Sequence, residues 1–280
     1  MDPLYKGLLW FIPSLVLLLL ISFKLFDEDN KISLGSLKET LWEVRGSLFI
    51  LFLVAAFLQL ENRIHDIYEP GFRVTWWFYQ VEGTTHIVWL QENLYNYFLV
   101  HALSLFYVLG LTFFVMLIPL FFIIRGEKDI FNQFCEALAV NYMFILPGYF
   151  FLHVVVTSFY APEVQPFMYS NPQYFALIQL TNRQTNCFPS GHISIPLTMT
   201  LIAMYKAKLK RLGVFGFIFT IITGFAIIYL GVHWIIDIPA GVAVALFAYW
   251  STSNGKMEPL FKRVIEPFER ITQSIRDKRI

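Results

Sequence analysis

Apolar residues along the 280-residue chain gather into seven runs, at 7–26, 46–60, 97–124, 137–160, 190–205, 212–231 and 234–251, separated by polar connections. A helix crossing about 30 Å of hydrocarbon needs about 20 mostly apolar residues, so the pattern predicts seven membrane-spanning helices. The second and fifth runs are short and call for local thinning or help from flanking residues. The two-residue alternation of membrane barrel strands is absent. The first run lacks the small-x-small cleavage site of a signal peptide and reads as a retained anchor or first span. The expected fold is all-α, a polytopic membrane helical bundle.

Composition agrees with this pattern. The chain is 57% hydrophobic and 15% charged, with a mean hydropathy of +0.58, whereas a soluble domain is about 25% charged. Disorder needs few apolar residues and many charges, and a net charge of +1 offers no nucleic-acid footprint. Lys and Arg then set orientation, because cytoplasmic loops collect them. The cluster Lys206, Lys208, Lys210 and Arg211 is the strongest such signal. Alternating the spans outward from it places seventeen of the 21 basic residues inside. These include Lys24, Lys31, Lys38, Arg45, Arg125, Lys128 and the tail residues Lys256, Lys262, Arg263, Arg270, Arg276, Lys278 and Arg279. Only Lys6, Arg63, Arg73 and Arg183 stay outside. The expected location is a cell membrane, multi-pass, with the C-terminus in the cytoplasm.

Two outer segments are long, 61–96 and 161–189, and Trp76, Trp77, Phe78, Tyr79 and Trp89 in the first suit the headgroup layer. With no linker or internal repeat, the chain divides into an N-terminal span and cytoplasmic segment (1–45), a six-helix membrane domain (46–251) and a basic cytoplasmic tail (252–280). Leu260, Phe261, Val264, Ile265 and Phe268 give that tail a rough apolar stripe, as in a helix lying on the inner membrane surface. Cys135 and Cys187 fall near opposite faces and should not pair.

Four of the six histidines have ordinary readings. His65 and His86 sit in the outer loop, while His101 and His153 sit in apolar helices as packing contacts, His153 staying a second functional candidate because it is a polar residue within the membrane. The other two differ. His192 ends the run Pro189-Ser190-Gly191-His192 just before the fifth span. Pro189 suits the first turn of a helix, and Ser190 and Gly191 present a hydroxyl and unshielded amides at a helix N-terminus, a ready anion site. His233 and Asp237 are four apart and share one helical face, where a carboxylate can fix an imidazole tautomer and stabilise its cation. The topology brings His192, His233 and Asp237 to the same outer depth. Each fragment alone is an ordinary helix start or an incidental pair; together they suit phosphoryl transfer.

On these residues the chain resembles the type 2 phosphatidic acid phosphatase superfamily, the lipid phosphate phosphatases, whose membrane members share a six-helix core. Pro189-Ser190-Gly191-His192 matches that family's second motif, and Gly231 to Asp237 matches the end of its third. The resemblance covers roughly residues 46–251, leaving 7–26 as one extra N-terminal span. It implies that His233 is the nucleophile, forming a phosphohistidine, that Asp237 orients it, and that His192 is the acid and then the base. Ser190, with the Gly191 and His192 amides, would hold the phosphoryl oxygens. No metal or other cofactor is implied, and the expected partners are membrane lipids and a lipid phosphate or lipid-linked phosphodiester substrate, not nucleic acid.

The cationic parts of the family pattern are missing. Its first motif, Lys, six residues, then Arg-Pro, is matched only in spacing by Lys38/Arg45 and Lys256/Arg263, neither followed by Pro. The Ser-Arg that opens its third motif is Ala226 and Ile227 here. Arg183, nine residues before His192 in the polar run 181–186, is the first replacement expected to bind phosphate, with Arg63 and Arg73 as headgroup candidates. This altered pattern also resembles the branch holding inositol phosphorylceramide and sphingomyelin synthases, which move a phospho-headgroup between lipids. The leading expectation is a lipid-phosphate phosphatase at the outer face, with such a transferase as the alternative. A metal-bound site of two His and one Asp and a non-enzymatic lipid transporter or scramblase on the same fold are further readings.

Overall fold

The computed structural model describes residues 2–68, 71–180 and 183–278; Thr181, Asn182 and Arg279 lie outside them. Helix α1 (Pro3–Phe26) has Pro3 in its first turn and Asp2 accepting the Leu4 amide at 2.7 Å, as helix starts favour. A short α2 (Leu37–Glu43) leads to α3 (Arg45–Tyr68). Strand β1 (Phe72–Arg73), α4 (Thr75–Glu82) and α5 (Thr85–Asn93) follow. Next comes α6 (Tyr97–Leu105), capped by the Asn96 side chain on the amides of Phe98 and Leu99. It continues through a π-helical turn (Phe106–Gly110) into α7 (Leu111–Ile124).

Helix α8 (Lys128–Phe151) ends in strand β2 (Leu152–His153), after which come α9 (Thr157–Tyr160) and α10 (Pro172–Ile178). Helix α11 (Gly191–Leu201) runs into a second π-helical turn (Ile202–Lys206). The chain closes with α12 (Lys210–Tyr229), α13 (Asp237–Ser253) and α14 (Glu258–Asp277).

The fold is an all-α polytopic bundle. Among the described residues, five elements are long and apolar enough to cross a membrane: α1, α3, the α6–α7 rod, α8 and α12. Helices α11 and α13 are shorter. In α11 every residue but Ile195 is buried, with α12 and α13 as its main neighbours. Surrounded by protein instead of lipid, it carries polar side chains safely. Thr198 and Thr200 donate to carbonyls one turn back at 2.8 and 2.7 Å, and Asn141 of α8 donates to Thr198 at 2.9 Å.

Two spans differ from the hydropathy pattern. The second does not stop at residue 60: α3 runs on through Glu61, Asn62, Arg63 and His65. Three of those polar residues have partners, Glu61 holding the His65 ring and Asn62 accepting from Arg183, while Arg63 is exposed. The fourth lies nine residues earlier than 137–160 suggests. Its first turns are polar but paired, with Ser47 donating to Asn132 at 2.7 Å and Gln133 to Ser253 at 2.8 Å. It stops where Leu152 and His153 pair in parallel with Phe72 and Arg73, so His153 sits on a strand and not in a helix.

The connections sort to two ends. At one, Arg125 binds Asp27, Asp29 and Glu127, while Glu28 accepts the Arg211 amide at 2.8 Å. At the other, Gln91 donates to Gln165 and Tyr229, and Glu82 accepts the amides of Ile235 and Ile236. Helix α14 docks on the start of α3: Phe268 stacks on Phe49 with ring centroids 4.2 Å apart, and Arg45 donates to Thr272 at 3.0 Å. Cys135 and Cys187 are free and buried.

Candidate active site

Three stretches of chain converge at the end opposite the Arg125 cluster. The first is the segment Cys187–His192. Pro189 precedes the helix instead of sitting in its first turn, and Ser190 is the N-cap of α11. The segment is gripped between two helices. A Cβ on Gly148 of α8 would lie 2.6 Å from the Phe188 carbonyl, and one on Gly241 of α13 would lie 2.6 Å from the Ser190 carbonyl. Only glycine permits that approach.

The second stretch is the turn from α12 to α13. His233 lies in this turn, not in a helix, and Asp237 is the first residue of α13. They still meet: His233 Nδ1 donates to Asp237 Oδ2 at 2.8 Å, and the Trp234 amide donates to the same oxygen at 2.9 Å. Glu82 of α4 steadies the turn, its Oε1 and Oε2 accepting the Ile235 and Ile236 amides at 2.6 and 3.0 Å. Burial raises the Glu82 carboxyl above its ordinary range, with these two amides pulling it down.

The third is the π-helical turn of the α6–α7 rod. It delivers Tyr107, whose Oη lies 2.7 Å from His192 Nε2. His192 Nδ1 in turn lies 3.0 Å from His233 Nε2, with the rings at 72°. With Asp237 ionised, one set of hydrogens fits all of these contacts. Tyr107 donates to His192, His192 donates to His233, and His233 donates to Asp237. His233 Nε2 thus carries a lone pair. Burial pushes the His233 imidazole down to about 3, with the Cys187 backbone acting in the other direction; the ring is therefore neutral at neutral pH.

Two buried oxygens here have no hydrogen-bond partner among the described residues, Ser190 Oγ and Asp237 Oδ1. A buried hydroxyl at a helix N-terminus can donate to an acceptor or an anion. The Gly191 amide donates to Tyr149 Oη at 3.3 Å. A cavity of about 400 Å³ reaches Gly191 and His192 between α3, α7, α8 and α11; Leu58, Val115 and Met116 line its apolar part, and Glu61, Asn62 and Asn186 its polar end. His233 is not in that lining. His192 stands between it and the cavity.

The expected cations fall elsewhere. Arg183 donates to Asn62 Oδ1 at 3.1 Å and to its carbonyl at 2.9 Å, and lines a neighbouring cavity together with Arg73. Arg63 is exposed on α3 and lines neither cavity. Ala226 and Ile227 are fully buried. Among the described residues, Cys187, His233 and Asp237 place potential metal-ligand atoms within 4.8 Å of one another, a set without His192. Tyr107, Tyr149 and Glu82 were not legible in the sequence. Each arrives from a distant stretch and belongs to no motif; an acidic residue in an otherwise apolar and aromatic loop was the only hint, for Glu82.

No curated protein and no solved structure matches the chain. The sequence pattern of the PAP2 superfamily matches residues 76–251, which takes in all three converging stretches. With this match over well over half its length, the chain belongs to the PAP2 superfamily and is a multi-pass membrane protein of the phosphatase- or phosphotransferase-type lipid enzymes.

Proposed function

We propose that the chain is a lipid-phosphate phosphatase working at the extracytoplasmic face through a phosphohistidine on His233. The observation that carries this reading is the chain of bonds from Asp237 through His233 to His192, at 2.8 and 3.0 Å. His233 Nε2 attacks phosphorus as the bond to the lipid oxygen breaks, and His192, as the imidazolium, protonates that oxygen and becomes neutral. Water then attacks phosphorus while His192 takes its proton, and the P–N bond breaks to release phosphate. Asp237 balances the positive charge that His233 carries in between. Ser190 Oγ and the first amides of α11 receive the phosphoryl oxygens. The nitrogens are too close to admit phosphorus between them, so entry requires the His192 ring to swing off His233. The apolar part of the cavity suits acyl chains.

A second reading keeps these steps but replaces water with a lipid alcohol, making the enzyme a phospho-headgroup transferase. The apolar approach to His192 and the buried Ala226 and Ile227 where the family carries Ser-Arg favour it. Purified protein supplied with a labelled lipid phosphate, and followed for free phosphate and for labelled acceptor lipid, decides between them. His233→Ala and His192→Ala should each abolish turnover; activity that persists in either variant overturns the assignment.

A further inference from the structure

Beside the active-site cavity lies another, of about 460 Å³, that the reaction above does not use. His65, Arg73, Thr75, Trp76, His153 and Arg183 line it. Extended backbone builds one side. Strand β1 sets Arg73 opposite His153 of β2, and the chain beyond β2 pairs with 184–186 through the Val154 and Val156 amides, which donate to Thr185 and Gln184. Helix α3 supplies the other side.

His65 is 2% exposed and His153 5%. His65 Nδ1 lies 3.0 Å from Glu61 Oε1 and 3.1 Å from the Glu61 carbonyl, so it carries a hydrogen. The two Nε2 atoms are 2.9 Å apart, a distance at which one ring donates to the other. The result is a second carboxylate–imidazole–imidazole row, built on an i, i+4 pair as at His233 and Asp237. Two guanidiniums adjoin it. Arg183 is oriented by Asn62, and Arg73 by its strand register; both keep further contacts with the protein.

We propose that this cavity is a second anion site, which takes a phosphate group borne on a lipid headgroup or free in solution. Guanidinium forks match phosphate oxygens in geometry and charge, and the imidazole pair can turn its hydrogen toward an incoming oxygen. Trp76 and Tyr160 at the rim suit the headgroup layer. The volume falls within the usual range for small-ligand sites, about 300–1,000 Å³. The site also borders the reaction centre: Arg183 and Thr185 line this cavity, whereas Asn186, Gly191 and His192 on the same segment line the other.

The site stands on its own geometry, so its test needs no turnover. The full chain in nanodiscs, labelled with ¹⁵N-histidine and assigned by single His→Gln substitutions, is titrated with inorganic phosphate and, separately, with dioctanoyl phosphatidate. The His65 and His153 signals should shift together. The combined change Arg73→Gln and Arg183→Gln should weaken that response at least tenfold, whereas Arg73→Lys, which keeps the charge and guards against a folding artefact, should retain it. Ser190→Ala, which alters the first site, should leave it in place. Tighter response to phosphatidate assigns the site to a lipid headgroup, and equal response to free phosphate. Signals that neither probe moves, or that move equally in the double variant, overturn the proposal whatever the enzyme does to lipid phosphates.

Discussion

In the proposed reaction His233 attacks only through a nitrogen that lacks hydrogen, and its neighbours decide which one that is. Asp237 takes the Nδ1 hydrogen, so the lone pair sits on Nε2, facing His192. Tyr107 does the same for His192, occupying Nε2 and leaving the Nδ1 hydrogen to face His233. Tyr107 therefore acts as a positioning residue. Tyr107→Phe keeps the buried ring and removes one hydrogen bond worth about 1 kcal/mol. Turnover should fall roughly fivefold to tenfold, with KM little changed and the melting temperature lowered by only a few degrees. A matching change in the His192 ¹⁵N signals would separate a tautomer effect from a loss of packing. The histidines and Asp237 were legible because each motif is a few consecutive residues with local geometry. Tyr107 joins from 85 positions away through a π-helical turn that has no sequence signature, and so it was not.

At the scale of elements, the site depends on how closely helices approach the segment before α11. Gly148 and Gly241 let α8 and α13 close on the backbone at Phe188 and Ser190. Gly241→Ala drives a methyl group against the Ser190 carbonyl, and neither partner is a flexible side-chain end. We expect a loss of about 1–3 kcal/mol, read as a lower melting temperature, with turnover reduced because Ser190 and His192 shift together. Unchanged stability and turnover would show that this contact relaxes freely. Hydropathy found the existence of these elements but misplaced the ends of α3 and α8, since it counts Glu61, His65, Lys128 and Gln133 as exposed when each has a partner in the fold. The same blindness assigned His65 to a loop and His153 to a helix, when the two touch.

For the whole molecule, connections gather alternately at two ends of the bundle, and most Lys and Arg lie at the end away from His192. The positive-inside rule supports the proposed extracytoplasmic reaction centre. Both native cysteines are buried, so introduced ones report cleanly. On intact cells a membrane-impermeant maleimide should label Glu92→Cys, near the site, and should reach Ser274→Cys of α14 only after permeabilisation. The reverse pattern would invert the orientation. Charge distribution, a property of the entire chain, was readable without coordinates, whereas the docking of α14 on α3 was not. An apolar stripe fits a membrane surface and a neighbouring helix equally well, and only the Phe49–Phe268 stack and the Arg45–Thr272 bond tell them apart.

The bond between His192 and His233 has one more consequence. Because each imidazole satisfies the other, the protein supplies its own occupant for the position that the proposed reaction gives to phosphate. Every substrate competes with that internal ligand. A hydrogen bond of this kind is worth about 0.5–1.5 kcal/mol net, so apparent affinity is lowered roughly twofold to tenfold relative to a site held open. In exchange, the nucleophile is uncovered only by a guest able to displace His192, and that makes selectivity a matter of who can open the site as much as of who fits it.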